Sequence, residues 1–453
     1  MRFAIILIPV IQNCFEKDTT TRIFFQVGKT MNSKIKPGSA EKALSLALVV
    51  MKKCEKGIPL DDALDKTRAN DLHNIAADIL FTYFRNKPLI DNIVALYAMK
   101  NGRKTKTRYL RLLRAASTQI IFQTAIKKEI ISDVAVSTAK KMFGKKIAGF
   151  INAVLRNITA TDINSFLKKL QPHEITGIPE CLYKKWQSSY PDFIPDIKAL
   201  IQKKPLITFR VTGQITEEEL ERNICRPLSL PQWAGNFRYY TAEDPALLFK
   251  TDWLKTGKIY IQDPATSASV SMFTPEENAA TIIDLCSAPG GKTLQLAEIA
   301  SEKSLIVASD ISMRRISRTK QNLMIHGVNN VTAICAEASR PPFPAHCADL
   351  VFLDVPCTNT GVFRKRPDAL WNFSSQKLKD LTSIQYAILE SSVSLVKKSG
   401  AIIYSTCSIE KEENTIMINK FLQRHSEFIL EKEEVIIPAE QHDGAYAALL
   451  RKK

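Results

Sequence analysis

The sequence predicts an α/β protein: a doubly wound, mostly parallel sheet preceded by an all-α bundle and a small α+β linking subdomain. Three observations predict it. From Thr281 onward, apolar runs at 281–286, 304–309, 331–335, 349–354 and 401–405 alternate with helical patterns, as in a parallel sheet covered by helices. The first run feeds a turn, Ser287-Ala288-Pro289-Gly290-Gly291-Lys292-Thr293, which opens a helical pattern. From Ala40 to Ile158, apolar residues recur at i, i+3 and i+4, the spacing of helices that share one core.

Size and charge set the frame. A chain of 453 residues holds about three domains at ~150 residues each. We divide it into an extension (1–37), a helical domain (38–162), a linker with a small α+β subdomain (163–275) and the α/β domain (276–453). The formal net charge is +17, which favours a polyanionic partner such as RNA or DNA, since bound cations release condensed counterions. The nine cysteines stand singly, without a C-x-x-C pair, so the sequence points to reduced thiols in the cytoplasm, not to zinc or disulfides. No apolar run is long enough to span a bilayer. The expected protein binds no metal and no membrane.

Residues 1–35 fit poorly with the rest. Phe3 to Ile11 is apolar after Arg2 but lacks a small-residue cleavage pattern, and Met31 opens a more ordinary start. The segment reads as an upstream extension or a misplaced start codon, with a signal sequence as the alternative. In the bundle, Ala40 to Met51 forms one helix stopped near Gly57, and Leu72 to Phe84 a second with Asp71 as candidate cap. Pro88 breaks the second helix, and Ile90 to Tyr97 continues on another that Asn101-Gly102 closes. Between Lys100 and Phe150, 13 Lys or Arg residues face only Glu129 and Asp133, with Lys145 and Lys146 just ahead of an apolar helix face. We read that half as a phosphate-contacting surface. Five prolines between Pro172 and Pro205 punctuate the linker. Leu206 to Val211 and Ile259 to Ile261 read as strands, and Ile215 to Ile224 as a helix capped by Thr216 with Glu219. Ala445 to Leu450 reads as a late strand.

The glycine turn narrows the ligand. Gly291-Lys292-Thr293 ends like a Walker loop, but Cys286 stands where the first glycine must be. A G-x-G-x-x-G dinucleotide loop is not supplied either. Asp310, 19 residues after Gly291, closes the second strand, the place for a carboxylate that accepts ribose hydroxyls. Loop and acid together suit a nucleoside without a phosphate chain, which points to S-adenosyl-L-methionine. Two further strands each deliver a cysteine to the ligand-binding edge: Asp354-Val355-Pro356-Cys357 and Ser405-Thr406-Cys407-Ser408. No histidine lies in these motifs, which disfavours a Cys-His hydrolase.

Asp284 to Thr293, Asp354 to Cys357 and Ser405 to Ser408, in that order, resemble the RNA cytosine-5 methyltransferases of the Sun (Fmu) family. Gln262-Asp263-Pro264-Ala265 and His442-Asp443-Gly444 also look like family sequence, and the bundle resembles the NusB-like RNA-binding domain. The likeness covers roughly residues 38–453. It implies a Rossmann-like sheet ending in an antiparallel hairpin, and a monomer acting on 16S ribosomal RNA. It also implies roles. Cys286, Ser287, Ala288, Pro289, Gly290, Gly291 and Lys292 would line the S-adenosylmethionine pocket, Asp310 would hold the ribose, and Glu337 would stand near the adenine, where the family has the shorter aspartate. Asp354 would sit beside cofactor and target base, Cys407 would be the nucleophile, and Cys357 would assist release.

That chemistry wants these groups. Carbon 5 of cytosine takes a methyl only after a thiolate adds at carbon 6, and an ordinary thiol, pKa ~8.5, is mostly protonated at neutral pH. Asp354 can bond the polar edge of cytosine as an acid or accept from its amino group. Cys286 and Cys335 are expected to pack. In Thr358-Asn359-Thr360-Gly361, Asn359 replaces a family glycine, and asparagine tolerates a left-handed backbone. Arg364, Lys365 and Arg366, with Trp371, read as RNA contacts. The competing functions are a 5-methylcytosine enzyme for transfer RNA or another RNA, a non-catalytic RNA-binding assembly factor, and a P-loop ATPase.

Overall fold

The computed structural model describes residues 37–65, 71–99, 105–124, 126–274 and 279–453. Within them the chain divides into two units. One holds the described residues up to Lys204 together with the short segment Arg364–Asn372; the other holds Pro205–Phe363 and Phe373–Lys453. The expected extension, the Asn101-Gly102 stop and the side chain of Asp71 lie outside the described residues.

The helical unit follows its apolar periodicity. Helices α1 (Pro37–Cys54), α2 (Leu60–Asp65), α3 (Asp71–Arg85), α4 (Lys87–Ala98), α5 (Thr107–Phe122), α6 (Lys128–Phe143) and α7 (Lys145–Thr159) close around one core. Leu44, Ile79, Ile93, Leu112 and Ile151 meet there. The break at Pro88 appears as expected: α3 ends at Arg85, and the proline sits in the first turn of α4, where its missing N–H leaves no bond unmade. In α7, Ala148, Ile151, Val154, Leu155 and Ile158 are buried, while Lys145, Lys146 and Arg156 are exposed. Between its prolines the linker carries the short helices expected of it, at Ile163–Leu167, Pro172–Thr176, Glu180–Ser189 and Ile194–Gln202.

One expectation is overturned in this unit. Arg364 and Arg366 are buried, not presented to a polyanion. Arg366 pairs with Asp61, the Leu60 N–H donates to Asp368 at 2.9 Å, and Trp371 Nε1 donates to the Phe84 carbonyl at 2.9 Å. Lys87 covers the Trp371 ring, 4.9 Å from its centre. The segment is an internal anchor of the helical unit, and Asp61 compensates the buried Arg366 charge.

The second unit begins with a small antiparallel sheet: β1 (Ile207–Val211), β2 (Cys225–Pro227), β3 (Tyr239–Ala242) and β4 (Ile259–Ile261), in the order β2-β3-β1-β4. The Thr216 capping box with Glu219 forms as expected. The short strands β2 and β3 carry no apolar run long enough to read from sequence. The main sheet takes β5 (Thr281–Asp284), β6 (Leu305–Asp310), β7 (Val331–Cys335), β8 (Ala348–Asp354), β9 (Val396–Thr406), β10 (Phe428–Ile436) and β11 (Ala445–Lys452), in the order β10-β11-β9-β8-β5-β6-β7. Strands β5 to β9 pair in parallel; β11 and β10 add an antiparallel hairpin at the edge. Alternate residues feed two cores: Leu350 and Phe352 face one, Val351 and Leu353 the other. The chain leaves β5 toward β6 on one side and returns through β8 on the other, which makes the carboxyl end of β5 the switch point where open sheets bind ligands.

Replacing Arg366 with alanine strands the buried Asp61 carboxylate. The unfolding free energy of the helical unit is expected to fall by about 3 kcal/mol, read from denaturant curves. Lys184→Ala, in an exposed helical pair with Glu180 of the same unit, is the control and should leave the curve unchanged.

Candidate active site

The glycine turn joins β5 to helix α8 (Gly291–Ile299). Gly290 adopts a left-handed conformation, φ +100°, and a Cβ there would come within 3.0 Å of Thr319, so only glycine fits without strain. The carbonyls of the turn are held from helix α9 (Met313–Ile325): Arg315 Nη2 donates to the Ala288 oxygen at 2.8 Å and Asn322 Nδ2 to the Pro289 oxygen at 2.9 Å. The small sheet braces the other flank. Gln262 Nε2 donates to Gln295 Oε1 of α8 at 3.0 Å and Gln262 Oε1 accepts from Arg210 Nε at 3.1 Å, while Arg210 also pairs with Glu298.

The residues expected to line a cofactor pocket fall together at this edge. Asp310 ends β6, nearly buried, and accepts from the Ser312 N–H at 3.0 Å and from Arg315 Nη1 at 2.9 Å. Ile311 beside it is 67% exposed, an apolar surface next to a carboxylate, which is the pair of chemistries that a purine and its ribose diol require. Ser287 Oγ in the turn is buried without a hydrogen-bond partner. Glu337 follows β7, whose continuation bonds back through the Ala336 N–H to the Asp310 carbonyl; it is exposed and accepts from Ser339 Oγ at 2.6 Å. These groups fit a nucleoside ligand. Cys286 packs against the sheet core, and burial pushes its thiol up. Cys335 does not pack: it is exposed at the end of the edge strand β7, where no further strand covers it.

Lys292 turns inward rather than toward solvent. Its ammonium donates to Asp354 Oδ1 at 2.5 Å and to Ser405 Oγ at 2.7 Å. Parallel pairing sets Asp354 directly beside Ser405 across β8 and β9, so one cation from the cofactor turn fastens both strand ends that lead to the cysteines. Asp284 lies below it, fully buried, accepting from Thr293 Oγ1 at 2.7 Å. Burial pushes its carboxyl up to about 7.

Beyond the strand ends the two cysteines meet. Cys357 Sγ and Cys407 Sγ are 3.2 Å apart; Cys357 is buried and Cys407 half-buried. The bond to Cys407, then burial, holds the Cys357 thiol well above the usual thiol range. Asn359 is left-handed, φ +62°, as its residue type predicts. Three loops are stitched together by backbone bonds: the Gly361 N–H donates to the Cys407 carbonyl at 3.0 Å and the Gly444 N–H to the Gly361 carbonyl at 2.8 Å. A Cβ on Gly361 would lie 2.8 Å from both the Cys407 and Gly444 carbonyls. The Asp443 N–H reaches Asp263 at 3.0 Å, which connects the two remaining family-like motifs through this stack.

Sequence reading missed the support beneath. Glu413 is fully buried; its carboxylate accepts from the Thr358 N–H at 2.9 Å, from Gln385 Nε2 at 2.9 Å and from the Thr358 hydroxyl. Ser408 Oγ shares bonds with Thr358 and Thr360 at 3.1 and 3.0 Å. The only sequence signal was a carboxylate cluster, Glu410, Glu412 and Glu413, just after the second cysteine motif. Among the described residues no group of His, Cys, Asp or Glu is placed to hold a metal, and no helix is long and apolar enough to cross a membrane.

A mostly parallel sheet closed by an antiparallel hairpin, with a glycine turn and a carboxylate at its switch point, fits an S-adenosylmethionine-dependent methyltransferase, and comparisons with known proteins specify it further. Residues 270–450 match the model of the 16S rRNA methyltransferase RsmB/F family and residues 41–160 that of the NusB family. The carboxyl-terminal domain is thus similar to the RsmB/F family of ribosomal RNA methyltransferases, and the helical unit to the NusB family. It is 29% identical over 422 residues to ribosomal RNA small subunit methyltransferase B of Photorhabdus laumondii, covering 88% of this chain and 96% of that one. With the probable ribosomal RNA small subunit methyltransferase B of Bacillus subtilis it shares 26% over 402 residues, 84% of this chain and 88% of the relative. Among solved structures, PH0851 superposes with a TM-score of 0.74 at 23% identity, covering 93% of this chain and all of that one. NSun6 from Pyrococcus horikoshii, solved with SFG, gives 0.51 at 21% identity, covering 60% of this chain and 98% of that one.

Burial of Asp284 has a pH signature. Its folded-state pKa, about 7 against an ordinary 3.8, means the folded state keeps a proton that the unfolded state releases between those values. Its contribution to stability is therefore largest in acid and declines as pH rises toward 7. Asp284→Asn should remove this decline: relative to the parent, the variant's unfolding midpoint is expected to rise between pH 4.5 and about 8, measured by thermal denaturation in matched buffers.

Proposed function

We propose that this enzyme methylates carbon 5 of a cytosine in 16S ribosomal RNA through a transient bond between Cys407 and carbon 6 of the ring. The observation that carries the reading is the unequal pair of thiols, 3.2 Å apart, one buried and one half-open, at the strand ends that Lys292 fastens to the cofactor turn. S-adenosylmethionine, when bound, supplies the electrophilic methyl that carbon 5 accepts. Ser287, Asp310 and the apolar face of Ile311 would hold it, with Glu337 at the outer edge.

Cys407 is the sulfur open to a base, so it is the one to attack. As the base enters, Cys407 gives up its proton to solvent at its open flank; the thiolate adds at carbon 6 and the ring's electron pair moves to carbon 5. Cys357 stays protonated at neutral pH because its neighbour and burial oppose ionisation, and its S–H is placed to exchange a proton with the Cys407 sulfur. After methyl transfer, a water molecule at the open flank takes the carbon 5 proton; that electron pair restores the double bond and expels the Cys407 thiolate, which Cys357 stabilises by donating to it. Asp354, already accepting from Lys292, has its second oxygen for the amino edge of cytosine. The reaction takes place on RNA, so the target base must leave its stack, at a cost of a few kcal/mol.

The helical unit supports the RNA assignment. Lys140, Lys141, Lys145 and Lys146 are exposed around the α6–α7 junction, and Lys141 also pairs with Glu41. The proposed enzyme works as a monomer in the cytoplasm, on free or partly assembled small subunits.

Cys407→Ala is expected to lower methyl transfer from labelled S-adenosylmethionine to 16S RNA by roughly a thousandfold or more; turnover close to the parent's would refute the nucleophile. Cys357→Ala should instead accumulate a protein–RNA adduct that survives detergent and is visible on a denaturing gel. Bisulfite sequencing of 16S RNA from a strain lacking the gene should show one cytosine losing its methyl mark. Replacing Lys140, Lys145 and Lys146 by glutamine should flatten the plot of log affinity against log salt by about 2 to 3 units, measured by filter binding; an unchanged slope would place the RNA on another surface.

A further inference from the structure

Asn359 lies in no role assigned so far, yet its side chain touches both cysteine motifs. We propose that Asn359 is a positioning residue for Cys407: its amide oxygen takes the Cys407 S–H and so fixes where the attacking sulfur points and which partner holds its proton. The inference rests on the reading of Cys407 as nucleophile, but its test does not.

The geometry is specific. The left-handed backbone at Asn359, φ +62° and ψ 26°, folds the side chain back over the loop. Asn359 Nδ2 donates to the Cys357 carbonyl at 2.9 Å. A carbonyl accepts and cannot donate, so this bond settles the orientation of the amide and leaves Oδ1 as the atom facing Cys407, at 3.2 Å from Sγ. An oxygen there can only accept. The Cys407 proton is therefore directed at Asn359, and the sulfur–sulfur contact of 3.2 Å is left to Cys357 as donor. The three groups form a directed relay, Cys357 to Cys407 to Asn359.

This arrangement has a chemical consequence that packing alone would not have. An acceptor aimed at S–H favours the neutral thiol, so Asn359 keeps Cys407 protonated until a base enters and displaces the contact. Aspartate at this position would oppose the thiolate more strongly, having the same shape and a negative charge. Glycine accepts a left-handed backbone and removes the acceptor altogether.

The test is alkylation of Cys407 by iodoacetamide across pH in the full-length protein, followed residue by residue by peptide mass spectrometry. At neutral pH, Asn359→Asp should slow alkylation of Cys407 about tenfold and shift its pH profile to higher pH, because a carboxylate at hydrogen-bond distance opposes the thiolate. Asn359→Gly should speed alkylation about threefold or more, the order expected for losing one hydrogen bond, and should lower kcat for methyl transfer while the KM for S-adenosylmethionine stays within about twofold, since the cofactor turn is untouched. A residue that merely packs would not move the two profiles in opposite directions. Profiles that superimpose on the parent's in both variants would overturn the proposal. Should Asn359→Gly fail to fold, Asn359→Asp alone decides, by the presence or absence of the slowing. Methyl transfer that survives Cys407→Ala would sink the nucleophile assignment and leave the alkylation result standing.

Discussion

The site depends on a register. Parallel pairing of β8 with β9 puts Asp354 beside Ser405, and one buried ammonium, that of Lys292, bonds both. A lysine is seldom buried without an anionic partner, because stripping it of water costs several kcal/mol. Here the carboxylate supplies the charge and the hydroxyl a second acceptor. Since Lys292 belongs to the first turn of α8, the glycine turn, β8 and β9 cannot shift independently. A slip of one residue between the strands would point one of the two partners to the opposite face. The cysteines follow within three residues of these strand ends, so their separation inherits the same constraint.

Below the cysteines the support is polar where a hydrophobic core would be the cheaper choice. Glu413, Thr358, Thr360, Ser408 and Gln385 satisfy one another in the interior. Such a network is costly unless complete, and when complete it admits few alternative packings. It fixes both cysteine loops from beneath, while Gly361 and Gly444 let their backbones approach to bonding distance from the side. Burial raises the Glu413 carboxyl despite its donors, which marks how far the network lies from water. Reacting groups held this firmly need little reorganisation at the moment of reaction.

What could be read from the chain and what could not divide along local and non-local lines. The parallel strands announced themselves because a strand buried on both faces must be apolar throughout, as Leu350 to Leu353 is. The glycine turn, Asp310 and the two cysteines stood at strand ends, where the alternation of strands and helices already placed them. The strand Phe428–Ile436 was legible only through the family likeness, since Glu431, Lys432, Glu433 and Glu434 mask it; charges of this kind guard a sheet edge against unwanted pairing. Arg364, Arg366 and Trp371 misled because a cationic run with an aromatic has the same composition whether it meets phosphate or a buried aspartate, and Asp61 lies some 300 positions away in the sequence. Lys292 was placed in the right loop, but no pattern tells that its side chain turns inward. The partnership of Glu413 with Thr358 depends on contacts 55 residues apart, which local propensity cannot report.

Two thiols in contact raise the question of why they are not interchangeable, and the surroundings answer it. Both arrive on equivalent loops after adjacent parallel strands, yet the bond to Cys407, then burial, and last the Glu413 charge oppose ionisation of Cys357. Cys407 keeps an open flank and touches an amide rather than a carboxylate. A sulfur that must form a bond to a base needs access and must be able to shed its proton; a sulfur that must return a proton needs to hold one at neutral pH. In the proposed reaction these opposite demands would fall to Cys407 and Cys357, which differ in depth and in the groups they touch. In that reaction the same asymmetry would direct the proton from the buried sulfur outward, because a donor that stays protonated can only give to a neighbour that has become an anion.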